Sequence, residues 1–268
     1  MKKSDTLTLI GLLGGIVLLG FSMATGDGGL AIFWDFASVL ITVGGSFAAV
    51  CMTYPSDIVK KVGVILGQAF KEDASSGKEI IAQFSDLSKK ARREGLLSLE
   101  DEINQLDDKF LKKGLQMVVD GIEPETIKEI LELEIEAMEA RHSKGAGLFL
   151  TWGGYAPGFG MLGTLIGLIQ MLQNLSDAST IASGMGTALI TTFYGSLLGN
   201  LFCNPIGANL AKKSEAEVVL KQMALEGILA IQSGVNPRIV EEKLITYLDP
   251  EERLKFLESN TENSEGVA

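Results

Sequence analysis

The stretch GAGLFLTWGGYAPGFGMLGTLIGLIQMLQNLSDASTIASGMGTALITTFYGSLLGNLFCNPIGANLA, residues 145–211, carries no Lys, Arg or Glu and a single charged side chain, Asp177. Placing a charged side chain at the centre of a bilayer helix costs roughly 2.5 to 3.5 kcal/mol on insertion scales, so a stretch this clean reads as two membrane spans separated near Asp177. The same filter finds two more. Thr6 to Gly26 and Phe36 to Ser56 are each free of Asp, Glu, Lys and Arg. Each has about the 20 residues that a helix needs to cross a hydrocarbon core roughly 30 Å thick. The expected fold is all-α: a polytopic membrane protein with four transmembrane helices, arranged two and two, and a helical cytoplasmic domain.

Charge along the chain sets the expected orientation and the boundaries. Of the 23 Lys and Arg residues, 2 fall in residues 1–54, 14 in 55–146, none in 147–211 and 7 in 212–268. They avoid the turns around Gly26–Ala31 and Leu175–Thr180, so the positive-inside rule places both turns outside and both termini in the cytoplasm. Lys2 and Lys3, ahead of the first span, agree. The expected domains are 1–54 (two spans and a short external turn), 55–146 (cytoplasmic helical domain), 147–211 (two further spans) and 212–268 (cytoplasmic helices and tail). The first apolar segment follows two lysines as a signal peptide would, but it has no convincing cleavage site and is read as a retained helix. The net charge of −11 resides mostly in the two charged segments, which hold 19 and 11 acidic residues. An acidic surface repels phosphate, so no nucleic-acid partner is expected.

Within 55–146 the periodicity is helical. Ser56 and Asp57 are expected to cap a helix after Pro55, with Ile58, Val62, Ile65, Leu66, Ala69 and Phe70 on its apolar face. Ser76 and Glu79 form a capping box ahead of Ile80, Phe84, Leu87 and Ala91, and Gly95 ends that helix. Ser98 to Asp101 repeats the capping pattern. Pro124 opens a helix that buries Ile127, Ile130, Leu131, Ile135 and Met138 and feeds the third span. After Lys212, Val219, Met223, Ile228 and Ile231 are expected inward, and Asn236-Pro237 opens another helix. Ser259 to Ala268 is expected to be unstructured.

The inventory of reactive groups argues against an enzyme. The only histidine is His142, on a Glu-rich helix, and the spans hold hydroxyls but no His or Lys from which a nucleophile, base and orienter could be built. Cys51 and Cys203 lie in apolar spans and are read as packing residues, so neither a disulfide nor a metal site is expected. No cofactor is indicated. The third and fourth spans instead concentrate hydroxyls and glycines: Thr151, Thr164, Ser183, Thr187, Thr191, Thr192 and Ser196. Pro157 and Pro205 each remove a helix hydrogen bond and are candidate hinges. The acids nearest the spans, Asp35 and Asp177, are expected at or near the outer ends. A path for ions needs an ionisable group at mid-membrane, so a partner would have to supply the carboxylate.

Several of these segments together resemble the MotA/PomA family, the A subunit of the bacterial flagellar stator, within the MotA/TolQ/ExbB superfamily. They are Ala91-Arg-Arg-Glu-Gly-Leu-Leu-Ser-Leu-Glu100, the run from Pro157 through Gly160-Met-Leu-Gly-Thr-Leu-Ile-Gly167, and Thr191-Thr-Phe-Tyr-Gly195, set in a two-plus-two span arrangement. The resemblance covers nearly the whole chain. It implies a homo-oligomeric ring, a pentamer, around a dimer of a single-span MotB/PomB-like subunit, embedded in the lipid of the bacterial inner membrane. Flow of H+ or Na+ through that complex would turn the ring against the rotor protein FliG. By motif position it assigns Thr164, Thr191 and Thr192 to the ion path and Pro157 and Pro205 to the functional prolines. Arg92 and Glu100, with Arg93 and Asp101 as weaker neighbours, would form the rotor interface. Two other readings stand beside it: an ExbB/TolQ-like energiser of an envelope partner, and a non-conducting membrane scaffold.

Overall fold

A computed structural model describes residues 5–26, 29–71, 76–173 and 175–265, with 258–265 described by backbone alone. Lys2 and Lys3 lie outside these residues. Among the described residues there is no β-strand, and four helices are long and apolar enough to cross a membrane: Thr6–Ala24, Phe36–Thr53, Pro124–Gln173 and Ala178–Gln232. The chain divides into two compact units, Met1–Glu72 with Arg141–Lys213 and Asp73–Ala140 with Ser214–Ala268. Nine of the 23 basic residues and six of the 34 acidic ones belong to the first unit, so the acidic excess resides entirely in the second.

The first helix has no buried residue, and Leu7, Ile10, Val17, Leu18 and Phe21 face outward. An all-apolar exposed helix is stable in lipid and not in water. Its foot is fixed by a polar network. Asp5 caps the helix by accepting from Thr8 N at 3.1 Å and Thr8 Oγ1 at 2.8 Å. Lys213 Nζ lies 2.9 Å from Asp5 Oδ2 and donates to the carbonyls of Ala69 (2.7 Å) and Lys71 (2.6 Å). Asn209 Nδ2 donates to Thr8 Oγ1 at 3.0 Å. The hydrogen bond from Lys213, with that from Thr8, holds the Asp5 carboxyl well below the usual carboxylate range.

Asp35 caps the second span, accepting from Ser38 N at 2.9 Å, and a π-helical turn interrupts it at Leu40–Gly44. Ser38, Thr42 and Ser46, four residues apart, are buried on one face. Trp152 Nε1 donates to Ser46 Oγ at 2.9 Å, and the Trp152 ring lies 5.1 Å from that of Phe47, which seats the second span on the third. Beyond Pro55 the chain departs from expectation. Ser56 does not cap: Pro55 is the N-cap residue and makes no side-chain bond, and the helix breaks into Ser56–Val59 and Val62–Ala69. The expected apolar face nevertheless packs, with Ile58, Val62, Ile65, Leu66, Ala69 and Phe70 against Leu148, Phe149 and Ile206. Cys203 is buried as expected, but Cys51 is exposed, while its neighbour Val50 takes the position packed with Leu148 and Phe149.

The third and fourth spans meet backbone to backbone. A Cβ on Gly163 would lie 2.4 Å from Thr191 Cγ2, one on Gly167 2.5 Å from Gly184 O, and one on Gly195 2.6 Å from Ala156 O. Small residues allow this approach, and in lipid the resulting dispersion contacts supply much of the association energy.

In the second unit, Ile81, Phe84, Leu99, Ile103, Leu115, Ile127, Leu131, Met223, Ile228, Ile231 and Leu244 form one core with almost no exposure. The helix Gly77–Glu94 starts at Ser76 with the expected capping box and ends at Gly95, whose φ of 88° favours glycine. Ser98 does not cap. It lies in the 3-10 turn Leu96–Leu99, and its hydroxyl donates back to Gly95 O at 2.7 Å, leaving Leu99 as N-cap of Glu100–Gln105. Asp108 is the effective cap of this region, accepting from Phe110 N at 2.8 Å ahead of Lys109–Val119 and pairing with Lys221 Nζ at 2.8 Å. Val219 is exposed rather than inward, since Val218 and Leu220 on either side take the core-facing positions. Asn236 caps Pro237–Ile245 as expected. The last helix, Pro250–Glu265, opens on proline with Glu251 and Glu252 in its first turn, and carries helical backbone into the segment expected to be unstructured; Gly266–Ala268 lie outside the described residues.

Two outcomes follow from this packing. Gly163→Leu should force the third and fourth spans apart at a cost of about 1 to 3 kcal/mol or more, read as a lower melting temperature in detergent and reduced membrane abundance, whereas Gly154→Leu, with open space around it, should change neither. Burial raises the Asp108 pKa, but the Lys221 bond, the Lys221 charge and the backbone donors outweigh it, so the net shift is downward. A depressed folded-state pKa stabilises above the ordinary carboxylate range and is lost as pH falls below about 4. Asp108→Ala should therefore lower stability by about 1 kcal/mol at pH 7, the typical value of a helix N-cap. The gap between variant and parent melting temperatures should close on acidification.

Candidate functional site

Thr164, one turn after Gly160, and Thr192, on the facing helix, are brought together by the glycine contacts around them. Thr164 Oγ1 lies 2.5 Å from Thr192 Oγ1 and 3.0 Å from Ala188 O, and also bonds back to Gly160 O at 3.2 Å. Thr191 and Thr192 reach the same Ala188 carbonyl at 3.1 and 3.3 Å. Three hydroxyls thus converge on an oxygen with two lone pairs, so at least one hydroxyl proton must turn elsewhere. Hydroxyl rotors of this kind can present either lone pairs to a cation or a proton to water. The cluster separates the two adjacent threonines. Thr191 is fully buried, fills the space beside Gly163, and bonds to Thr187 O at 2.9 Å, while Thr192 is exposed and Thr164 half-buried.

The prolines border one irregular level of the same helix pair. Pro157 sits inside the continuous helix Pro124–Gln173, and the carbonyl four residues earlier, Gly153 O, has no intrahelical donor there. A Cβ added at Gly199 would come within 2.8 Å of that carbonyl and 3.2 Å of the Pro157 ring, so both close on the same glycine. Gly199 belongs to the π-helical turn Leu198–Cys203, and Pro205 follows it immediately as the second residue of Asn204–Gln232. A π turn widens the ladder where a proline cannot donate, which is why the two irregularities adjoin.

The two acids near the spans each cap the helix of a span, as expected of span ends, but they stand at different levels along the fourth span. Asp177 caps the fourth span through Ser179 N at 3.0 Å. Asp35 instead lies beside Tyr194, whose hydroxyl accepts from Asp35 N at 3.4 Å and donates to Phe33 O. Tyr194 is 17 residues beyond Asp177, or about 25 Å at 1.5 Å per residue. The Phe33 and Phe193 rings, 5.7 Å apart, reinforce this junction. Sequence reasoning missed it, and missed the buried Ser38, Thr42 and Ser46 series, although their four-residue spacing was visible. Ser196 and Asn200 continue the exposed face of Thr192 at the same spacing, and both line a cavity with Leu19 and Phe193.

In the charged unit, Arg92 and Arg93 occupy the last turn of Gly77–Glu94, and Glu100 and Asp101 the first turn of Glu100–Gln105. All four are exposed. Each charge complements the dipole of its own helix, which accounts for its position without any partner. Arg92, Arg93 and Glu100 form no ion pair among the described residues, whereas their neighbours Lys90 and Glu102 pair at 2.9 Å. No group of three or more His, Cys, Asp or Glu residues able to hold a metal occurs among the described residues.

The comparisons with known proteins bear on this arrangement. Residues 102–223 match the family model described as the MotA/TolQ/ExbB proton channel family. The chain is 48% identical over 232 residues to motility protein A of Borreliella burgdorferi, covering 87% of this chain and 89% of that one. It is 35% identical to chemotaxis protein PomA of Vibrio alginolyticus over 249 residues, covering 93% and 97%. Among solved structures, the flagellar MotAB stator complex from Bacillus subtilis matches with a TM-score of 0.88 at 38% identity, covering 94% of this chain and 99% of that one. C. jejuni MotAB matches with 0.86 at 28% identity, covering 92% and 96%. With matches in sequence and in fold over most of its length, and four helices of membrane-spanning length, the chain is a membrane protein that belongs to the MotA/TolQ/ExbB proton channel family, in its motility protein A branch.

Proposed function

We propose that this chain is the A subunit of a flagellar stator, which with a single-span MotB/PomB-like subunit forms an ion-conducting complex that converts H+ or Na+ flow into torque on the rotor. The observation that carries the reading is the hydroxyl cluster of Thr164 and Thr192 at the contact of two uncharged spans, with no carboxylate of its own at that contact. Such a cluster can order water or replace part of a cation's hydration shell, but it cannot bind and release a proton by changing charge. The titrating carboxylate comes from the B subunit. Thr192 and Thr164 present oxygen to the path, while Thr191 maintains the spacing of the two helices. Pro157 and Pro205, at one irregular level, form the hinge.

The acidic unit lies in the cytoplasm with both termini, and its exposed Arg92, Glu100, Arg93 and Asp101 meet the rotor protein FliG. Exposed charges tune encounter and register while each adds little affinity, as a contact that is made and broken repeatedly requires. Five such chains surround the B-subunit dimer. A helix of membrane-spanning length within the first 30 residues counts against the three-span ExbB/TolQ-like reading.

The test pairs motility with membrane abundance. Thr192→Val and Thr164→Val should reduce torque at saturating ion gradient by about tenfold or more with normal abundance, because each removes an oxygen from the path and leaves nearly the same volume. Thr191→Val should act chiefly on abundance. Equal torque from parent and Thr192→Val motors would refute the path assignment. Arg92→Glu combined with Glu100→Lys should abolish swimming without lowering abundance, and motility of the parent in sodium-free medium decides between the two ions.

A further inference from the structure

Beyond the second span the chain forms two short helices, Ser56–Val59 and Val62–Ala69, in a segment that meets an end of every span. Pro55 joins it to the second span. An added Cβ on Gly145, the first residue of the uncharged run of the third span, would come within 3.3 Å of Ile65. Lys213, just past the uncharged run of the fourth, donates to Ala69 O and Lys71 O at 2.7 and 2.6 Å. Asp5 N, ahead of the first span at Thr6, donates to Phe70 O at 3.0 Å. A segment that touches all four spans where charge-free sequence gives way to charged sequence runs along the plane in which the bundle leaves the lipid.

The two faces of this segment differ. On the inner one, Ile58, Val62, Ile65 and Leu66 pack with Leu148, Phe149 and Ile206. The outer one is open: neither Gly63 nor Gly67 has an atom within 4 Å of where a Cβ would stand, and Val64 is 64% exposed. Lys60 and Lys61 occupy the break between the two helices, are exposed, and form no ion pair among the described residues. Charge at this end of the bundle is one-sided. Among the described residues of the first unit, Lys60, Lys61, Lys71, Arg141, Lys144 and Lys212 are exposed here against one exposed acid, Asp57, while Asp5 is tied to Lys213.

Ammonium groups without a counterion, in the plane of the membrane surface and next to an outward valine, match a phosphodiester that carries acyl chains. The phosphate oxygens accept from the lysines, and the chains cover Val64. A free phosphate would satisfy the lysines and leave Val64 in water. We propose that the outer face of residues 56–69, with Lys60 and Lys61 at its centre, binds the headgroup of an anionic phospholipid, of the phosphatidylglycerol kind, in preference to a zwitterionic one. Such a site is independent of the ion path and of the rotor face.

Val64→Trp places a fluorescent reporter on the open face, read as the difference from the parent, which carries only Trp34 and Trp152. The full chain, purified from membranes with any subunit that accompanies it, is reconstituted in phosphatidylcholine vesicles. Rising shares of brominated phosphatidylglycerol or brominated phosphatidylcholine then quench the reporter, and the two curves give the relative affinity of the lipids at that face. Phosphatidylglycerol should be preferred about 25-fold, about fivefold for each lysine at the membrane surface. Lys60→Gln with Lys61→Gln should erase the preference at unchanged melting temperature, Lys60→Arg with Lys61→Arg should keep it, and excess inorganic phosphate should leave it unchanged. Equal quenching by the two lipids overturns the proposal, and so does a preference that survives the glutamine pair. A preference erased by inorganic phosphate assigns the lysines to a free anion, and no quenching by either lipid assigns the face to a second copy of the chain or to another protein. Both of those outcomes overturn it as well.

Discussion

Backbone contact between the third and fourth spans is the constraint on which the rest depends. Gly160, Gly163 and Gly167 face Gly184, Ala188, Thr191 and Gly195 with no room for a Cβ at any of the glycines. Glycine inside a helix is disfavoured by roughly 1 kcal/mol relative to alanine, so a series of them is held by what their absence of side chain permits. It permits Ala188 O to come within reach of hydroxyls from both helices. The same approach directs Gly153 O, stripped of its intrahelical donor by Pro157, onto the widened turn at Gly199. Close packing, the hydroxyl cluster and the two prolines are therefore one construction, and loosening the glycine contact would disturb all three.

Much of the fold was legible because the forces behind it leave marks in sequence. Exclusion of charge from lipid marked the four helices long and apolar enough to cross a membrane, and the capping box at Ser76 and Glu79, the stop at Gly95 and the Asn236-Pro237 start were each realised. The failures came where a local pattern had a competitor. Ser98 fits a cap by spacing, but a 3-10 turn offered its hydroxyl the Gly95 carbonyl first. Val219 fits an inward position by period, yet Val218 and Leu220 are the residues packed against the core, which turns the residue between them outward.

The candidate site was legible in part. The threonines, prolines and charged pair could be named from motif and composition, but nothing in the dipeptide Thr191-Thr192 reveals that one hydroxyl packs and the other is exposed. That distinction depends on which helix face meets Gly163, and it is set in three dimensions. Asp35 is a similar case. Its place at the head of the second span was readable, but not that Tyr194 of the fourth span stands at its level.

Lys212 and Lys213 look interchangeable on paper. All three ammonium hydrogens of Lys213 are engaged, by Asp5 and by the carbonyls of Ala69 and Lys71, while Lys212 is solvated. An ammonium held by three acceptors is not free to turn toward an incoming electrophile, and so it is a poor nucleophile. Two adjacent residues of one type thus differ in reactivity: Lys213 serves as a rivet through the base of the bundle, and Lys212 is left as the ordinary surface amine, open to acylation or to a phosphate headgroup.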